Sequence, residues 1–214
     1  MNPAKKMTGS KTLVETNTRR SAKGRQRREE ILDAAMRIYS RDGYENASIA
    51  NIAKEVGLSL PGLLHYFPTK ADLLLAILEQ RDIETVALFE EPIRDWRHMF
   101  ENVRRTVRRN RRIVEVVRAF AILNAESLLA GHPALSWFQR RSKYVGGIMS
   151  EALRAGMDKG ELRGDIDPAR LAIEIIGVWD GVQVLWLREP ETVDIVAIID
   201  AYIDRLIHSI CIQQ

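Results

Sequence analysis

Apolar positions recur at helical spacing along almost the whole of this 214-residue chain. The first stripe runs through Ile31, Ala35, Ile38 and Tyr39 and stops at Arg41-Asp42-Gly43-Tyr44. There Gly43 suits the left-handed position just past a helix end, and Tyr44 can pack back on the last turn. A second, short stripe of Ile49, Ile52, Ala53 and Val56 follows a serine N-cap, Ser48, and ends at Gly57. Ser59 predicts the start of a third helix, Leu60 to about Phe67, closed by Pro68. Pro61 then falls in the first turn, where its missing N–H removes no helical bond. Thr69 and Asp72 approximate a capping box at the head of a fourth helix. Two short helices joined by a tight glycine-containing turn make a helix-turn-helix. Beyond it the pattern predicts only helices, over 70–89, 93–109, 111–130, 134–158, 168–188 and 191–210, with Asp167-Pro168 as a clear start. No alternating strand pattern competes. The expected class is all-α: a three-helix helix-turn-helix unit over 25–69, then a larger helical unit over 70–214.

The last two of these helices are apolar around more than one narrow face. One carries Leu171, Ile175, Ile176, Trp179, Val182, Leu185 and Trp186, and the other Ile195, Ile198, Ile199, Tyr202, Ile203, Leu206 and Ile210. Such helices bury two sides, against a partner copy or at the centre of a monomer.

Charge separates the ends of the chain. Residues 1–28 hold nine Lys or Arg against one acid, Glu15, although the whole chain carries only +3. Residues 1–24 are expected to form a disordered basic arm, which suits a polyanionic partner. A solvated tail would look the same. The single cysteine, Cys211, excludes an intramolecular disulfide and suits a reducing cytoplasm. No apolar run reaches the ~18 residues of a membrane span. His65, His98, His132 and His208 lie too far apart for metal-ligand spacing, so no metal and no cofactor are expected.

From Arg27 to Glu79, "RREEILDAAMRIYSRDGYENASIANIAKEVGLSLPGLLHYFPTKADLLLAILE", the chain resembles the tetracycline-repressor (TetR) family of bacterial transcriptional regulators. Many positions carry the likeness: Ile31, Ala34, Ala35, Gly43-Tyr44, Ser48, Ile52, Ala53, Gly57, Ser59, His65-Tyr66-Phe67-Pro68, Lys70 and Leu73-Leu74. The family's pattern often has a polar residue at Leu60, Thr or Ala at Gly62, Tyr at Leu64 and an acid at Asn51.

The resemblance implies a ligand-responsive, sequence-specific DNA-binding regulator of the bacterial cytoplasm. It would be a homodimeric repressor released from a palindromic double-stranded operator by a small-molecule inducer. Ser59, Leu60, Pro61, Gly62 and His65 would then face the major groove, base reading falling to Ser59, His65 and the Leu60 methyls. Ser48, Tyr66 and Lys70 would lie on phosphates, with Arg25, Arg27 and Arg28 gripping phosphate or the minor groove. An inducer pocket would draw on Trp96, Phe100, Phe120, Asn124, Trp137, Tyr144 and Gln183, and a dimer on Ile175, Trp179, Val182, Trp186, Ile195, Ile199, Tyr202 and Leu206. Each of these aromatic residues could instead be ordinary core. The arginine run from Arg104 to Arg112 reads as a solvated face. Two other function classes remain: an α-helical enzyme acting on a small apolar molecule, and a nonspecific architectural DNA binder. The first lacks any joined nucleophile, base and orienting group, although carboxylates such as Glu90-Glu91 are plentiful. The second would not need so large a helical body.

Overall fold

The computed structural model describes the backbone of residues 9–86 and 93–212, and the side chains of 22–83 and 93–212. Glu90 and Glu91, and the first eight residues, lie outside these. The described residues form nine helices: α1 (Gly9–Asn46), α2 (Ile49–Glu55), α3 (Leu60–Leu64), α4 (Lys70–Val86), α5 (Trp96–Asn110), α6 (Val114–Glu126), α7 (Leu135–Asp158), α8 (Pro168–Arg188) and α9 (Ile195–Ile210). Their one β-type pairing is an isolated bridge between Leu162 and Cys211. The fold is all-α, as the periodicity predicts. The chain divides into two compact units, Met1–Ile77 and Leu78–Gln214, so the division falls inside α4 and not ahead of it. The first turns of α4 bury Leu73, Leu74 and Ile77 in the first unit.

In that unit the backbone is helical from Gly9, where the sequence suggests a disordered arm to residue 24. No proline or glycine interrupts residues 10–22. Extending an existing helix costs far less than nucleating one, so α1 propagates backwards through the basic segment. Gly43 breaks α1 with φ 73°, and Tyr44 folds back to place its ring 5.8 Å from that of Tyr39. Gly57, at φ 66°, ends α2. Its N–H bonds the Lys54 carbonyl (3.0 Å) and the Leu58 N–H bonds that of Ala53 (2.8 Å), which is a Schellman closure. α3 is shorter than expected: after Leu64 the N–H groups of Tyr66 and Phe67 both turn onto the Leu63 carbonyl. Pro68 disfavours helical geometry in the residue before it. The capping box is complete, because the Asp72 N–H donates to Thr69 Oγ1 and the Thr69 N–H to Asp72 Oδ2, both at 3.0 Å.

The second unit packs α5, α7, α8 and α9 around Trp96, Met99, Phe100, Leu153, Ile199 and Ile203. Asp167 caps α8 by accepting from Ala169 and Arg170. Asp95 and Asp194 do the same for α5 and α9, which is why these helices begin at Trp96 and Ile195 and not at 93 and 191. The arginine run is not simply solvated. Arg104 donates to Asp200 (3.0 Å) and Asp204 (2.7 Å), and Arg108 to Asp200 (2.9 Å), tying α5 to α9.

Candidate nucleic-acid interface

The geometry of α3 follows from its first four residues. Ser59 sits in extended conformation at the N-cap, and its Oγ accepts from the Gly62 N–H at 3.2 Å. Pro61 occupies the first turn. Leu63 points inward and is fully buried, which anchors the helix in the core of the unit. Leu60, Pro61 and His65 are therefore left outside with Ser59, while Gly62, Leu64 and Tyr66 are half-buried. The His65 and Tyr66 rings meet edge to face at 5.8 Å. A Cβ added to Gly62 would lie 3.2 Å from Ser59 Oγ, so a larger residue presses on the cap.

The cationic residues are less uniform than the sequence suggests. Arg25 and Arg28 are exposed, Arg28 with its guanidinium 4.9 Å from the centre of the Phe67 ring. Arg27 turns inward: it pairs with Glu30 and donates to the Val56 carbonyl, so it braces α1 against the turn after α2. Lys70 heads α4, yet its ammonium donates to the Glu45 carbonyl at 3.2 Å and lies 4.4 Å from the Tyr44 ring centre. In this arrangement Lys70 supports the unit from which it projects. Ser48 holds the N-cap position of α2, and its side chain makes no capping hydrogen bond. Two depressions mark the unit, of about 560 and 550 Å³. One is lined by residues including Lys23, Arg27, Leu58 and Tyr66, the other by residues including Arg37, Arg41, Asn51 and Lys54.

Neither depression involves a residue expected to close a ligand pocket. Four of those residues fall into two groups. Trp96 and Phe100 belong to the core, where the Trp96 indole N–H donates to Glu161 at 2.8 Å. Phe120, Trp137 and Phe138 form a second cluster with ring centres 4.9–6.1 Å apart. Asn124 is half-buried on α6 with Phe120, and Gln183 is buried and accepts from the Trp179 indole. Tyr144 lies two turns beyond Trp137 on the same side of α7, but is 65% exposed because no described residue covers it. The sequence reading missed a polar stripe on α5, Asn102, Thr106 and Asn110, all buried. Arg81 reaches Asn110 at 3.1 Å, while the Asn102 amide makes no hydrogen bond. Their i, i+4, i+8 spacing was the available signal. Arg81 and Arg141 both lie over the Phe120 ring, and Arg141 pairs with Asp82 at 2.7 Å.

Of the residues expected at a dimer interface, Ile175, Trp186, Ile195 and Ile199 are enclosed in the core of their own chain and cannot meet a partner. Trp179, Val182, Tyr202 and Leu206 are half-buried. The large apolar side chains that α8 and α9 leave exposed are Ile173 (69% exposed), Val184 (37%), Leu185 (54%) and Ile198 (41%). Gly177 and Gly181 lie between the first two on α8, with open space beyond them. Among the described residues no group of His, Cys, Asp or Glu could hold a metal, and no helix is long and apolar enough to cross a membrane.

Residues 31–77 match the family model described as bacterial regulatory proteins, tetR family, and residues 130–208 match the C-terminal model of BetI-type transcriptional repressors. The HTH-type transcriptional regulator RutR of Escherichia coli O157:H7 is 30% identical over 178 residues, which cover 79% of this chain and 78% of that protein. The HTH-type transcriptional repressor KstR of Mycolicibacterium smegmatis is 29% identical, over 86% of this chain and 88% of that protein. A transcriptional regulator from Saccharomonospora viridis, solved in complex with choline, shares the fold with a TM-score of 0.69 and 24% identity. That match covers 87% of this chain and 98% of the other.

Proposed function

The chain belongs to the tetR family of bacterial regulatory proteins, and from that premise we propose that it is a homodimeric repressor which leaves a palindromic operator when a small molecule binds its second unit. The observation that carries the reading is α3: a serine-capped helix in a helix-turn-helix that holds Leu60, Pro61 and His65 out to solvent. Recognition helices of this motif enter the major groove by the N-terminal end. Ser59, Leu60, Pro61 and Gly62 make up that end, and His65 caps the other, exposed on the same helix. Ser48 at the head of α2 and Tyr66 after α3 would lie on phosphates, with Arg25 and Arg28 on α1. Phosphate contacts set register and base contacts set sequence. Arg27 and Lys70, held by carbonyls of their own unit, serve the interface chiefly by bracing it.

The outward face of α8 and α9 supports dimerisation. Ile173, Leu185 and Ile198 offer side chains, and Gly177 and Gly181 permit close approach of a second helix. Two copies related by a two-fold axis present two copies of α3, so the operator repeats as a palindrome with half-sites one helical turn, or a multiple of it, apart. A small molecule releases the DNA only if it prefers the conformation that binds DNA less well. The polar stripe of α5 and the Phe120 cluster are the places in the second unit where such a ligand would find hydrogen bonds beside aromatic surface.

Selection of bound duplexes from a random-sequence pool tests the reading. The bound duplexes are expected to converge on a palindrome. A pool that stays random after repeated selection would refute it.

A further inference from the structure

We propose that Leu60 and Pro61 read the 5-methyl groups of thymine, so that half-sites are recognised at α3 largely through methyl contact. The inference rests on the regulator reading above.

Residues 59–67 contain no Asn, Gln, Arg, Lys, Asp or Glu. The bidentate pairings that single out guanine or adenine in the major groove are therefore unavailable to this helix. Ser59 has one lone pair committed to the Gly62 N–H, and a serine hydroxyl accepts any base edge. That leaves His65, at the far end of the helix, and the half-buried Tyr66 just past it, which the reading above sets on phosphate.

Leu60 is the conspicuous residue. At 39% exposure it is the one large aliphatic side chain left exposed among the described side chains of the first unit. Pro61 is exposed beside it. Both belong to a unit whose first helix opens on a basic segment, seven Lys or Arg against one acid over residues 9–28, which argues for a polyanionic partner of that unit. Apolar side chains on a DNA-facing surface need an apolar counterpart. The thymine methyl is the apolar group that base edges present in the major groove. The Ser59 cap and the fixed φ of Pro61 also hold this pair in place before binding, so little freedom is lost when it docks.

The test uses the operator duplex recovered by selection and replaces single thymines by deoxyuridine, which removes the methyl and leaves every hydrogen-bonding group. At a thymine under Leu60 or Pro61, affinity is expected to fall about fourfold per methyl, the weight of one buried methyl-sized group. Changing both half-sites should then cost about fifteenfold. Leu60→Ala and Pro61→Ala should each abolish the thymine–uracil difference at one position. Both side chains are exposed, and circular dichroism should show an unchanged fold. His65→Ala should leave the difference intact. Equal affinity for thymine and uracil at every half-site position overturns the proposal. So does a difference that survives in both variants, which would place the methyl against another residue. A wedge inserted from the minor groove predicts the first of these results. If no duplex is selected at all, the regulator reading fails and takes this proposal with it; a selected operator indifferent to uracil defeats this proposal alone.

Discussion

Gly156 on α7 offers a sharp test of whether Trp96 is core or pocket wall. A Cβ placed on Gly156 would lie 2.5 Å from Trp96 Cδ1 and 2.9 Å from Leu162 Cδ1. Carbon atoms in van der Waals contact sit ~3.5–4.0 Å apart, so the indole must move by about 1 Å. That movement pulls its N–H off Glu161, now at 2.8 Å. Overpacking of this kind costs about 1–3 kcal/mol, and losing a hydrogen bond to a charged group about 1.5–3 kcal/mol. Alanine returns about 1 kcal/mol of helix propensity. Gly156→Ala should therefore destabilise the chain by about 1.5–5 kcal/mol. Gly147 on the same helix has nothing within 4 Å of an added Cβ, so Gly147→Ala should stabilise by up to about 1 kcal/mol. Urea unfolding of both variants at equal protein concentration reads the difference. If Trp96 lined an open cavity, its ring could swing aside and Gly156→Ala would be harmless. A Gly156→Ala protein as stable as Gly147→Ala would refute the packing described for Trp96.

Three further outcomes are expected. Tyr39 is fully buried and its hydroxyl has no hydrogen-bond partner, with burial pushing its pKa well above the ordinary phenol value. Tyr39→Phe should therefore leave the melting temperature unchanged or raise it, by about 1 kcal/mol of stability; a clear loss would mean the hydroxyl is bonded. Ile198 faces out and Ile199 faces in. Ile198→Glu should give a folded monomer in sedimentation at micromolar concentration, and Ile199→Glu a protein that fails to fold; a folded Ile198→Glu dimer would place the interface elsewhere. Hydrogen bonds from Trp96 and then Arg97 hold Glu161 below its ordinary pKa of 4.5. The folded state binds that proton less tightly than the unfolded, so its contribution is present above pH 4.5 and lost as pH falls through the lowered value. Glu161→Gln should flatten that part of the acid limb of the stability curve, and an unaltered limb would contradict the assignment.

The helix-turn-helix was legible because its signals are local. Ser59, Gly43, Gly57 and the Thr69–Asp72 pair each impose a conformation on their immediate neighbours, and each does so in the structure. Side-chain partners across the fold were not legible. Arg27 and Lys70 look alike in sequence to Arg25 and Arg28, and only the folded unit brings the carbonyls of Val56 and Glu45 to them. The Arg104–Asp200 contact spans 96 residues for the same reason. On α8 and α9 the apolar count exceeded one face, which signals two buried sides. The helical phase that sorts Ile198 from Ile199 depends on which neighbour each helix meets. The aromatic residues of the body were equally ambiguous: Trp96 and Trp137 both look like pocket or core, and Gly156, which bares the backbone under Trp96, carries no pattern of its own.

A DNase I footprint on a genomic fragment carrying the selected palindrome tests the central claim most directly. It is run at about 0.15 M salt, where nonspecific phosphate contacts are weakened, with random DNA in excess. The account predicts a discrete, two-fold symmetric protected site that is lost when Leu60 and His65 are both changed to Ala. Uniform protection that the random DNA removes, or a footprint indifferent to those two substitutions, would contradict it.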